Sequence, residues 1–203
     1  MINHHPSEAT LAAHAAGTLP QALAIVAATH LTRCAACRDA LTILEATGGA
    51  LLEDLPPVLL SVDALDQLLG RLDEPPPSPP PVLNPDLPVP LNRVAFGRWW
   101  PLGVGTRYRP FQTAGAAWGG LLLAQPGWSL PRHGHKRLEL TCILSGAFAD
   151  GFGSYAAGDL SEPVSDHDQP PVVIGSDPCL CVIASEGMQL RGVLGWAQRL
   201  IGQ

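Results

Sequence analysis

The chain has 203 residues, with 12 basic and 18 acidic side chains, a net charge of −6 and a hydrophobic fraction of 46%. This length allows one large domain or two small ones, and no uninterrupted apolar run reaches the roughly 18 residues of a membrane span. The acidic balance argues against a chain built to neutralise phosphates, so direct nucleic-acid binding is not expected.

The first residues, Met1 to His5, carry no Lys or Arg, unlike the basic start of a secretory signal. Five cysteines is an odd number. In a chain this long, the simplest expectation is a reducing cytoplasm in which paired cysteines bind metal. The charge is uneven. Residues 1–74 hold three arginines against nine acids, which accounts for the whole net charge. Such a region is either a solvated acidic face or a partner for a basic surface.

Residues 1–74 read as about four helices. Ser7 is placed to cap a first helix running toward Gly17. Pro20 suits the start of a second, with Leu23, Val26, Ala27 and His30 on one face. A third follows Cys37, carries Leu41 and Leu44 on one face, and is expected to end near Gly48-Gly49. Ser61 is placed to cap a fourth, whose stripe of Leu65, Leu68, Leu69 and Leu72 serves either as core or as a partner-binding face.

Within this region His30, Cys34 and Cys37 stand at i, i+4 and i+7, one side of a helix if the helix is continuous. Imidazole and thiolate are zinc ligands, and a closed tetrahedral site needs a fourth. His5 is the preferred fourth ligand; His4 and His14 compete. A helical unit this small has little core, so a structural metal would contribute folding free energy.

Nine of the sixteen residues from Pro75 to Pro90 are proline. Lacking amide hydrogens, this run neither continues a helix nor joins a sheet interior. It is expected to be an extended linker, residues 75–91, between domains at 1–74 and 92–203, each with its own core. Beyond it, short apolar runs at Trp118–Ala124, Leu138–Leu144 and Cys179–Ala184 alternate with Gly- and Pro-rich turns, the pattern of an all-β sandwich or barrel. A short final helix is expected over 195–201. Cys142, Cys179 and Cys181 read as core thiols, with an exposed redox thiol as the alternative.

A second constellation reads Gly127-x5-His133-x-His135-x3-Glu139-x6-Gly146. The even spacing allows His133, His135 and Glu139 to share one strand face. Two imidazoles and a carboxylate suit zinc, iron, manganese or nickel. This is the cupin signature. The second cupin motif is shorter here than usual, with Gly158, Pro163 and His167 as its candidates, and His167 as the fourth ligand.

The histidine and cysteine pattern, with the stretches LAAHAAGTL and ATHLTRCAAC, resembles ChrR-type zinc-binding anti-sigma factors, in which an anti-sigma domain is fused to a cupin. The resemblance covers both halves of the chain. It implies a multidomain α + β protein, a zinc-binding helical domain followed by a cupin β-barrel. It also implies an extracytoplasmic-function sigma factor of RNA polymerase as partner. The metals implied are zinc at His5, His30, Cys34 and Cys37, and zinc or another divalent transition metal at His133, His135, Glu139 and His167. The barrel would sense singlet oxygen or related oxidative stress, or hold a small-molecule ligand. The alternative is a cupin metalloenzyme, of dioxygenase or isomerase type, with a structural zinc domain.

Overall fold

A computed structural model describes residues 2–75, 81–129, 133–135, 137–163 and 171–190, the side chains of 133–135 and 188–190 excepted. Helix α1 (Glu8–Ala15) opens at Ser7, whose Oγ accepts the Thr10 N–H at 3.2 Å. That bond satisfies one of the amides a helix start leaves unpaired. Helix α2 (Gln21–Leu31) starts directly after Pro20, and its Leu23, Val26, Ala27 and His30 are all fully buried. Helix α3 (Ala35–Glu53) opens at Cys34, whose sulfur accepts the Cys37 N–H.

Two expectations about helix ends are corrected. Helix α3 does not stop at Gly48-Gly49 but continues through both, where the surroundings are open. A glycine in a helix interior costs only about 1 kcal/mol relative to alanine, so the pair weakens α3 without ending it. Helix α4 (Ala64–Gly70) is opened by Asp63, with no side-chain cap. Ser61 contributes its carbonyl to the Ala64 N–H instead of its hydroxyl. A short helix, α5 (Val89–Asn92), closes the proline run and buries Leu91 completely.

The second half contains eleven strands among the described residues: β1 (Trp100–Gly103), β2 (Thr106–Pro110), β3 (Trp118–Ala124), β4 (His133–His135), β5 (Glu139–Ser145), β6 (Ala147–Ala149), β7 (Ser154–Ala156), β8 (Leu160–Ser161), β9 (Val172–Val173), β10 (Cys179–Ser185) and β11 (Met188–Leu190). They form a six-stranded antiparallel sheet in the order β1-β2-β3-β10-β5-β8, a three-stranded sheet β7-β6-β9 and the pair β11-β4. Gly146 turns the chain between β5 and β6 at φ +73°, and a Cβ there would lie 2.5 Å from the Pro178 carbonyl oxygen. Both facts restrict this cupin-signature position to glycine. The segment expected as a final helix, 195–201, lies outside the described residues.

Strands β5 and β10 look continuously apolar because both of their faces are buried. Leu140, Cys142, Leu144, Val182 and Ala184 form one face, packed with Leu19, Ala22, Leu23, Val26 and Ala27 of the helical half and with Leu91. The alternate residues Ile143, Cys179, Cys181 and Ile183 face inward, toward Phe148, Tyr155 and Val173 of the smaller sheet. All three of these strand cysteines are therefore core thiols, as expected. The expectation of two separate cores is corrected. The two halves share a core, because Leu91 at the end of the proline run is buried in it and α2 lies directly on the large sheet.

Candidate metal centre

The helix is interrupted by a turn between α2 and α3 at residues 32–34, so His30, Cys34 and Cys37 do not share one continuous helix. His30 comes from the last turn of α2, Cys34 from the cap of α3 and Cys37 from its first turn. Their convergence comes from this short turn. His5 enters from the segment before α1, and its Nδ1 lies 3.3 Å from both the Cys34 and Cys37 sulfurs. His30 Nε2 lies 3.3 Å from the Cys37 sulfur.

All four donor atoms lie within 4.8 Å of one another. Tetrahedral zinc, with bonds of about 2.0–2.3 Å, needs ligand atoms roughly 3.3–3.8 Å apart, so the set is close to the required size. The group can hold a metal ion. His30, Cys34 and Cys37 are buried and His5 is exposed, which leaves one open side. Burial and the neighbouring Cys34 sulfur push the Cys37 thiol up to about 12. Burial also lowers the pKa of His30. Both are the expected effects of withdrawing ligands from water without a countercharge.

The structure separates the competing histidines. His4 packs against Tyr155 with the rings tilted by 38° and their centroids 4.3 Å apart, and is not in the cluster. His14 sits half-buried on α1, also outside it. Of the second constellation, Glu139 opens β5 and is buried, lining an internal cavity with Leu122, Thr141, Cys179 and Cys181. His133 and His135 lie on β4, but their side chains are outside the described residues. His167 lies outside them altogether.

The surroundings of the first cluster come from parts of the chain that carry no local sequence signal. The turn between β7 and β8 lies against it: the Gly158 carbonyl is 2.8 Å from His30 Nδ1, and Asp159 accepts the Asn3 and His4 amides at 2.7 and 3.1 Å. Gly158 had been noted only as part of the second cupin motif. No local signal connects residues about 155 positions apart.

Residues 92–188 match the family model described as the ChrR cupin-like domain. Over 192 residues, 91% of this chain and 90% of the relative, the sequence is 38% identical to the anti-sigma-E factor ChrR of Cereibacter sphaeroides. The chain belongs to the ChrR family of anti-sigma factors. A crystal structure of Rhodobacter sphaeroides SigE in complex with the anti-sigma ChrR matches the fold with a TM-score of 0.77 and 38% identity, covering 91% of this chain and 99% of that one. The match spans both halves, so this ChrR-family chain shares the arrangement of helical and cupin-like parts as well as each part. Among the described residues, no helix is long and apolar enough to cross a membrane.

Proposed function

We propose that this chain is a cytoplasmic regulator that binds an extracytoplasmic-function sigma factor and blocks the surfaces that sigma uses to engage RNA polymerase. The observation that carries this reading is the exposed apolar surface from α3 through α4. Ile43, Leu51, Leu52, Leu65, Leu68, Leu69 and Leu72 are each between 51% and 73% exposed. A stripe this long is unusual on a soluble chain with no partner and marks an interaction surface. It is interspersed with Glu53, Asp54, Asp63, Asp66, Asp73 and Glu74. An apolar stripe with an acidic margin complements a basic, partly apolar partner. The exposure of the Leu65–Leu72 stripe supports reading it as a partner face.

In this scheme residues 1–74 carry the partner surface and the metal cluster, residues 75–91 connect, and residues 92–203 form the sensing part. The first cluster holds zinc. The second, at His133, His135, Glu139 and His167, holds zinc or another divalent transition metal. Oxidative stress of the singlet-oxygen type, read by the cupin part, releases the sigma factor. The alternative, a metalloenzyme with a zinc appendage, gains nothing from the comparisons, since the relative matched along nearly its full length is a regulator.

Co-expression with an extracytoplasmic-function sigma factor of the same organism, followed by affinity purification and elemental analysis, tests the reading. A stable one-to-one complex containing zinc supports it. A chain that purifies alone beside a folded sigma factor overturns it.

A further inference from the structure

Seven hydrogen bonds join the β7–β8 turn, strand β8 and Glu162 just beyond it to the segments that carry His5 and His30. Gly158 O pairs with His30 Nδ1 at 2.8 Å. Asp159 Oδ1 accepts the Asn3 and His4 amides, and the Leu160 amide donates to His4 O at 3.1 Å. Glu162 accepts the Ser7 amide at 2.7 Å, the Ser7 hydroxyl at 2.8 Å and the Thr10 hydroxyl at 2.9 Å. His5 is thus bracketed on both sides, at His4 and at Ser7, by carboxylates of the β-rich half.

Each contact has a consequence for metal binding. The carbonyl of Gly158 can only accept, so His30 must carry its proton on Nδ1 and present the Nε2 lone pair to the cluster. Outer partners of this kind fix the ligand's tautomer and orientation. Asp159 is 1% exposed, and its other oxygen accepts the Ala156 amide at 2.8 Å. One carboxylate therefore locks the turn to itself and to the strand entering His5. Gly158 adopts φ +100°, and a Cβ there would lie 2.9 Å from the Ile2 side chain. The close approach that brings its carbonyl to His30 requires glycine.

We propose that the Gly158–Glu162 turn is the outer shell of the N-terminal metal centre, with Asp159 and Glu162 as positioning residues for His5 and the Gly158 carbonyl for His30, so that metal affinity and the state of this turn are linked. The proposal rests on the metal-centre reading above. Linkage is reciprocal: a change that shifts the turn changes metal affinity by the same factor by which metal changes the equilibrium of the turn. In sequence, the turn runs directly into residues 164–170, which include His167.

Cobalt(II) titration of the full chain tests the proposal, because its thiolate charge-transfer band is specific to a cysteine-bound ion. The band that disappears in the Cys34→Ser/Cys37→Ser variant reports this site. Asp159→Asn replaces an acceptor with an amide that meets N–H donors, and Glu162→Gln does the same at Ser7. Each should weaken cobalt binding about 10- to 100-fold, with circular dichroism unchanged. Hydrogen exchange on the unmodified chain needs no variant to fold: metal should slow exchange at Asn3, His4 and Leu160, and a chelator should reverse this. Wild-type affinity in both folded variants, or amides indifferent to metal, would overturn the linkage alone. Absence of any Cys34- and Cys37-dependent band in the unmodified chain would overturn the metal centre, and the proposal with it.

Discussion

Arg33, the residue before the first cysteine of the metal cluster, donates through Nη1 to the Leu144 carbonyl of β5 at 3.1 Å. The bond ties the turn between α2 and α3 to the large sheet. It stands beside the shared core, in which Leu23 and Val26 of α2 are fully buried with Leu140 and Val182. The helical part of this chain is therefore folded partly by the sheet beneath it.

An isolated fragment of residues 1–74 should consequently be less stable than the same residues in the full chain. It loses the cover over Leu23 and Val26, and full burial of such side chains contributes about 1.5–3 kcal/mol each. Domains commonly hold only 5–15 kcal/mol in total. The zinc-loaded fragment should melt well below the full chain and bind a hydrophobic dye. A fragment with full-chain thermal stability and no dye binding would show that the face of α2 needs no sheet.

Metal removal should act unevenly across the helices. Helix α2 is held by the shared core, whereas α3 is anchored mainly by the cluster and by Leu11, Leu31, Leu41 and Leu44 around it. Chelation should raise hydrogen exchange in α3 and in residues 2–7 while α2 stays protected. Equal loss of protection in α2 and α3 would show that the metal, not the sheet, organises α2.

The cluster was legible in the sequence because three ligands lie within eight residues and histidine is concentrated near them. Ser7, Pro20 and the run Trp118–Ala124 also declared their elements locally, through a cap, a missing amide and an unbroken apolar stretch. The path of the chain through the cluster was not legible. Spacing of i, i+4 and i+7 fits a continuous helix as well as two helices separated by a turn, and no side chain at 32–34 enforces a break as proline would. The shared core was hidden for a different reason. A polyproline run signals stiffness, but Leu87 and Leu91 at its end pack into the core, and the element that α5 meets is α2, far back along the chain.

Substituting the exposed leucines should separate binding from folding. Leu65, Leu68 and Leu69 are 64%, 62% and 51% exposed, so replacing any of them with Asp removes little buried contact. Surface changes of this kind usually alter stability by no more than about 0.5 kcal/mol. If these residues enter a desolvated interface, a buried unpaired carboxylate should weaken sigma binding at least tenfold. Calorimetric titration with purified sigma factor measures the effect. Undiminished affinity in the Leu65→Asp/Leu69→Asp double variant would remove α4 from the interface.

The proposed metal site of the cupin part should govern release and not repression. Glu139 lies inside the sheet layers, lining the cavity with Thr141 and Cys181, while the apolar stripe proposed to bind sigma runs along α3 and α4. A change confined to the cavity does not remove any residue of that stripe. Substituting His133, His135 or Glu139 should therefore leave the sigma complex intact in unstressed cells. For the cavity to release sigma at all, the stimulus must favour the sigma-free state by a differential free energy. The shared core and the β7–β8 turn are the routes by which that difference can reach α2 and the first metal. A reporter driven by the sigma factor should stay silent in unstressed cells carrying Glu139→Gln and respond less than wild type to singlet oxygen. Constitutive reporter activity from a folded Glu139→Gln protein would mean that cavity geometry is needed to hold the inhibitory face in place. A full response would mean that Glu139 takes no part in sensing, and that the stimulus enters through another group.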